Sequence, residues 1–60
     1  MDDKIFEQVL KVRETGLTNM FDLLGVQRAA FDMSLYDLVC YLGDKDNHRE
    51  YFNVILFGRE

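Results

Sequence analysis

Cys40 and His48 are the two side chains whose types suit covalent catalysis, with a thiolate as nucleophile and an imidazole as base. Their placement disfavours that chemistry, because Gly43 separates them and no motif supplies an orienting third group or an oxyanion hole. Cys40 also stands in an apolar run, where a buried thiol is unreactive. We expect Cys40 to be a small core residue, His48 to lie at the surface, and the protein not to be an enzyme.

Residues 44–50 are rich in polar groups that could bind a cation. A calcium loop needs oxygen ligands at positions one, three and five, Gly at six and Glu at twelve. Counted from Asp44, position six is Arg49 and position twelve is Ile55, so the pattern fails. A structural zinc needs about four Cys or His ligands, and the chain has one of each. The segment is typical of a solvated turn, and we expect no metal and no cofactor.

Residues 22–42 could adopt a helix-turn-helix shape, but their chemistry does not suit DNA. The second helix of such a unit, residues 35–42, has no Lys, Arg, Asn or Gln to read bases, and its one polar residue is Asp37. The net charge of −4 also opposes binding to phosphates. The alternative is a nucleic-acid-associated regulator, with four basic residues expected on one face: Lys4, Lys11, Arg13 and Arg28.

A chain of 60 residues forms a single domain, residues 1–60, with little core to stabilise it. Such a domain buries only about 60% of the surface that its unfolded chain exposes. Its single cysteine allows no intrachain disulfide and is typical of a reducing cytoplasm. The acidic start does not resemble a signal peptide, and no apolar stretch approaches the roughly 20 residues of a membrane span. We expect a cytoplasmic protein that is stabilised by oligomerisation and does not bind membranes.

Periodicity and end signals predict an all-α fold, a small bundle of three to four short helices at about 3–15, 22–33, 35–42 and 48–57. Gly16 suits a left-handed cap after the first helix, and Asp22 suits the N-cap of the second. Ser34 and Asn47 each precede an acidic residue by three positions, the spacing of a capping box.

Residues 35–42 and 51–57 are apolar apart from Asp37 and Asn53. As helices they would be apolar over roughly 260° of their circumference, far more than the stripe of about 100° that a surface helix needs. The alternative is that both runs are strands, since Tyr, Phe, Val and Ile favour sheets. We expect the third helix to be the buried centre and the last to contact another molecule. The predicted oligomer or partner interface comprises Tyr51, Phe52, Val54, Ile55, Leu56 and Phe57.

Residues 18–22 form a connector with a mixed pattern. Thr18, Asn19 and Asp22 are polar and suit helix caps, whereas Met20 and Phe21 are apolar. The apolar pair either staples the first helix to the second or, with its polar neighbours, forms a loop that contacts a partner.

Four stretches resemble a family of roughly sixty-residue proteins of bacteriophages and mobile elements of Gram-positive bacteria, which carry a domain of unknown function. They are residues 14–22, 26–30, 36–39 and 51–58, and residues 18–22 are the most specific. The resemblance leads us to expect glycine at position 34, where this chain has Ser34. This departure weakens the prediction of a tight turn between the second and third helices. The resemblance implies a phage-type context in a bacterial host, without catalytic residues to carry over.

Together these features predict a small phage-type interaction module that acts as a homodimer or higher oligomer. Its expected partner is a host protein, with a bacterial defence enzyme as the candidate class, which it would modulate or inhibit. Besides the nucleic-acid regulator, a structural accessory role in a phage particle is the other alternative.

Overall fold

Four α-helices make up most of residues 1–58, which are the residues that the computed structural model describes. They are α1 (Asp3–Thr15), α2 (Leu23–Asp32), α3 (Tyr36–Leu42) and α4 (His48–Phe57), with a 3-10 helix at Lys45–Asn47 before α4. The all-α prediction is confirmed, and each predicted boundary lies within one residue of the observed one. The strand alternative is wrong, because both apolar runs are helical. Within residues 1–58, no helix has the length and apolar composition that crossing a bilayer requires.

The ends of α1 and the start of α2 follow the local signals in the sequence. The Asp2 carboxylate accepts a hydrogen bond from the Lys4 N–H (2.8 Å) at the start of α1. Gly16 ends that helix with φ of 66°, the left-handed conformation that glycine adopts without steric cost. Asp22 caps α2 by accepting from the Gly25 N–H (3.1 Å). These caps confirm the roles expected of Asp22 and Gly16.

Both predicted capping boxes are wrong. The Asn47 side chain donates to the Tyr41 carbonyl instead of capping α4. Ser34 lies at the C-terminal end of α2 in the left-handed conformation, with φ of 62°. Its N–H bonds the Phe31 carbonyl (3.0 Å) and the Leu35 N–H bonds the Ala30 carbonyl (2.8 Å). This pair of bonds is a Schellman motif with serine at the position that glycine usually takes.

The core lies where α1, α2 and α3 meet, and the Tyr51 ring of α4 completes it. α3 packs against both α1 and α2, whereas the α4 backbone lies closest to the preceding 3-10 helix. The buried apolar side chains are Val9, Val12, Val26, Ala30, Leu35, Leu38, Leu42 and Tyr51.

α3 is central, but only one of its sides is buried. Leu38 and Leu42 face the core, while Tyr36 and Cys40 are exposed. The expectation of a buried Cys40 is therefore wrong. Within residues 1–58, no helix covers the opposite side of α3, where Tyr36 and Cys40 remain exposed.

Two glutamines from other helices hold α3. Gln8 of α1 is only 8% exposed, and its Oε1 accepts from the Leu38 N–H (2.8 Å) in the first turn of α3. Its Nε2 donates to Asp37 Oδ2 (3.3 Å). Gln27 of α2 donates to the Val39 carbonyl (3.0 Å). Because α3 has no side-chain cap of its own at Leu35, Gln8 supplies from α1 the acceptor that a local N-cap normally provides.

Candidate interaction surfaces

The predicted interface on α4 divides between core and surface. Tyr51 is fully buried, and its hydroxyl donates to the Met20 carbonyl (2.6 Å). Burial raises the pKa of Tyr51 to about 12. The expectation that Tyr51 contacts a partner is wrong, because its ring and hydroxyl are both used inside the fold. Ile55 packs against the core as well, whereas Leu56 is 60% and Phe57 81% exposed.

In the connector at residues 18–22, the polar side chains of Asn19 and Asp22 accept hydrogen bonds from backbone N–H groups. Asn19 Oδ1 accepts from the Phe21 N–H (2.9 Å), and Asp22 caps α2. Met20 packs partly buried against the core, which is the stapling role that the sequence suggested for it. Phe21 remains 50% exposed.

The structure brings the two predicted regions together. The Phe21 ring stacks on the Phe52 ring of α4, with centroids 6.1 Å apart and planes inclined by 15°. Leu56 follows Phe52 by one helical turn and so lies on the same side of α4. We call these three residues, Phe21, Phe52 and Leu56, the loop–α4 surface.

On another side of α4, Glu50 links the helix to α3 and to the start of the chain. Its carboxylate accepts a hydrogen bond from the Tyr41 hydroxyl and lies 3.2 Å from the Met1 ammonium. The Tyr41 hydrogen bond and then the Met1 ammonium lower the pKa of Glu50. Burial, followed by this carboxylate, raises the pKa of Tyr41. Val54 and Phe57 border a shallow depression beside this network.

A second apolar surface, absent from the predicted sites, lies on the outer side of α2 and α3. Leu24 is 78%, Phe31 59% and Tyr36 54% exposed. The Phe31 and Tyr36 rings meet edge to face at 5.7 Å, and half-buried Val39 lies beside them in one groove with Leu24. We call these four residues the α2–α3 surface.

The spacing along α2 contains a signal for this surface. Leu24 and Phe31 are seven residues apart and so share a side of the helix, while Val26 and Ala30 form a separate buried stripe. Leu24 is 78% exposed, so its stripe faces outward, away from the core.

The candidate catalytic and metal residues have ordinary structural contacts. His48 Nε2 lies 2.8 Å from the Leu42 carbonyl oxygen, at the start of α4. Asp44 accepts from the Asp46 N–H (3.0 Å) and so caps the 3-10 helix. Among residues 1–58, no group of three or more His, Cys, Asp or Glu side chains is arranged to hold a metal ion.

The basic residues of α1 do not share one face. Lys4 and Arg13 are nine positions apart on a continuous helix, which places them about 180° apart around its axis. Lys4 also pairs with Asp37, at 3.0 Å between Nζ and Oδ2. The collected basic face on which the nucleic-acid alternative depended is therefore not formed.

Comparison with known proteins places nearly the whole chain in one family. The family model of a domain of unknown function, DUF5049, matches residues 1–59. No curated protein and no solved structure matches the chain. The family match confirms the resemblance to a small domain of unknown function.

Proposed function

Since the chain belongs to the DUF5049 family, whose description assigns no activity, we propose a function from its surfaces. The protein is an interaction module that binds a host protein and modulates or inhibits it, acting as a homo-oligomer in a phage context. The observation that carries this proposal is the loop–α4 surface, where exposed Phe21 stacks on Phe52 beside exposed Leu56.

The exposed apolar groups do not result from loose folding. The accessible surface is 4268 Å², close to the ~4,100 Å² that a folded monomer of 7.1 kDa is expected to have. Large apolar side chains are therefore displayed by a fully packed chain. Such display is typical of surfaces that bind other proteins.

The rings of the loop–α4 surface are held in place by packing while α4 lies against the core. The Phe52 ring contacts both Phe21 and Tyr51, the latter at 5.6 Å between centroids. Tyr51 is itself held by the core and by its hydrogen bond to Met20. A partner that binds these rings loses little side-chain entropy, because the rings are already ordered.

Charge indicates which kind of host protein suits this surface. The exposed Asp22 carboxylate follows Phe21 directly, and the chain carries a net charge of −4. Enzymes that act on DNA or RNA present Lys and Arg to phosphates. An acidic binder with an aromatic centre is therefore complementary to such an enzyme, and a defence nuclease of the bacterial host is the class that we favour.

The test is affinity purification from a Gram-positive host with wild-type protein, Phe21→Ser and Leu56→Asp. Burial of a Phe or Leu side chain contributes about 1.5–3 kcal/mol, so each substitution should weaken partner binding by about tenfold or more. The matched control is Leu17→Asp, which makes the same change at a residue that is 89% exposed and outside the loop–α4 surface.

The expected result is a host protein retained by the wild type and Leu17→Asp but lost with the other two variants. The purified partner should then lose or change its activity when the wild-type protein is added. Retention of the same proteins by all four chains would reject the loop–α4 surface as the binding site. A captured partner whose activity is unaffected would reject modulation.

A further inference from the structure

Three residues of the α2–α3 surface, Leu24, Phe31 and Tyr36, are exposed and belong neither to the core nor to the loop–α4 surface, while Val39 also packs against the core. We infer that the α2–α3 surface binds a second copy of this chain in a two-fold dimer. This inference rests on the homo-oligomer in the proposed function and deepens it by naming the contact surface. In a two-fold contact the same patch meets itself, so a continuous apolar patch is suited to the purpose.

The distribution of charge supports a second copy as the occupant. Two copies that each carry a net charge of −4 repel one another unless their contact keeps carboxylates out of its centre and pairs those at its rim with cations. The groove of the α2–α3 surface is lined by Leu24, Gln27, Arg28, Phe31 and Val39, none of which is acidic. Its one charged lining residue is Arg28, a cation that is attracted to an acidic copy.

The edge of the surface is self-complementary. Arg28 and Asp32 are one turn apart on α2 and both are exposed. When two antiparallel copies of α2 meet across a two-fold axis that passes level with Ala30, Arg28 of each copy approaches Asp32 of the other. The apolar side chains then form the centre of the contact and these charges form its rim, which is the usual anatomy of a protein interface.

The exposed aromatic pair is already ordered for binding. Phe31 and Tyr36 support one another through their edge contact, so little rotamer freedom is lost when they are covered. The exposed part of α4 is smaller, since Tyr51 and Ile55 face the core and only its last turn displays Leu56 and Phe57. The α2–α3 surface is therefore the better candidate for self-association than the predicted α4 interface.

The dimensions predict a weak dimer. α2 has ten residues and is ~15 Å long, and two adjacent helices are ~20 Å wide, so the face measures roughly 300 Å² in projection. Standard interfaces bury about 800 Å² on each partner. We therefore expect the dimer to dissociate on dilution.

The test is sedimentation equilibrium of the wild type and of aspartate variants, from low micromolar to near-millimolar concentration. Phe31→Asp and Leu24→Asp place a carboxylate at exposed positions of the surface and should raise the dimer dissociation constant at least tenfold. Phe57→Asp makes the same change at the end of α4, where the side chain is 81% exposed, and should leave the constant unchanged. Thermal melts establish whether each variant is folded. If Phe31→Asp does not fold, the dissociation constant of Leu24→Asp alone decides the test.

The outcomes separate this inference from the proposed function. A wild-type dimer that dissociates with Phe57→Asp but not with Leu24→Asp would overturn the α2–α3 contact while leaving the homo-oligomer intact. A wild-type protein that stays monomeric over the whole concentration range would overturn both the α2–α3 contact and the homo-oligomer of the proposed function. Binding of the host protein is tested separately through Phe21 and Leu56, and its result does not bear on this contact.

Discussion

Replacement of Gln8 by alanine should destabilise the protein because Gln8, which lies on α1, caps the start of α3. The substitution removes the acceptor of the Leu38 N–H bond. It leaves that buried backbone donor at the start of α3 without a partner. It also removes the Nε2 donor that lies 3.3 Å from Asp37 Oδ2.

The expected loss of folding free energy can be taken either from the cost of an unsatisfied buried donor or from the cost of a lost helix N-cap. A buried donor left unsatisfied costs about 1–3 kcal/mol, and loss of a helix N-cap costs ~0.5–2 kcal/mol. These figures describe one event and are not summed, so we expect about 2 kcal/mol. A domain of this size is stable by only about 3–9 kcal/mol, and a loss of 2 kcal/mol should lower Tm by roughly 8–16 °C.

Urea and thermal denaturation followed by circular dichroism measure the effect, and Gln8→Met is the matched comparison. Methionine has nearly the helix propensity and length of glutamine but accepts no strong hydrogen bond. If Gln8 acts as a cap, Gln8→Met should lose about as much stability as Gln8→Ala, because neither side chain offers an oxygen acceptor to the Leu38 N–H. A Gln8→Met protein within about 0.5 kcal/mol of the wild type would refute the capping argument and assign the effect of Gln8 to packing.

Three further changes test other features of the fold. Ser34→Gly should stabilise the protein by about 1 kcal/mol in urea denaturation, since φ of 62° strains any residue with a Cβ; a variant no more stable than Ser34→Ala would contradict this. Lys4→Met should return the Asp37 pKa toward its usual value in an NMR titration, because the Lys4 hydrogen bond lowers that pKa. The stability that this pair adds is present above the unfolded pKa of ~4 and is lost as pH falls through the folded pKa. Tyr51→Phe should cost about 1–3 kcal/mol at neutral pH, because the Met20 carbonyl loses its donor. Since burial raises the pKa of Tyr51 to about 12, wild-type stability should also fall as pH rises from ~10 towards that value, and an equal fall in Tyr51→Phe would exclude Tyr51 as its cause.

The ends of α1 and the start of α2 were predictable because they carry local signals, whereas the capping boxes predicted for α3 and α4 were wrong. Gly16 and Asp22 act within one turn of their own helices, and the apolar spacing of α1 matches its buried face. The predicted loop and α4 segment also proved to be adjacent, through Phe21 and Phe52.

Other features depend on contacts between residues far apart in the chain. Gln8 caps a helix thirty positions later, so no motif around Leu38 reveals it. Which apolar stripe of α2 faces inward depends on how α1 and α3 pack, and this left the exposed stripe of Leu24 and Phe31 unrecognised. Tyr51 was assigned to an interface because its run is apolar all round, whereas the Met20 carbonyl gives its hydroxyl a partner inside the fold.

The thin attachment of α4 has a consequence for the motions of the native state. Tyr51, Phe52 and Ile55 supply the apolar contacts of α4 with the core, and Glu50 and His48 add polar contacts with α3. Because the α4 backbone packs less closely on α1–α3 than these three helices pack on one another, we expect α4 to open as a unit while the other three stay folded. Native-state hydrogen exchange should therefore show weaker protection for α4 amides than for those of α1. Opening separates Phe52 from Phe21 and abolishes the loop–α4 surface. A partner bound there would stabilise the closed state and slow α4 exchange, so that exchange rate reports occupancy of the surface.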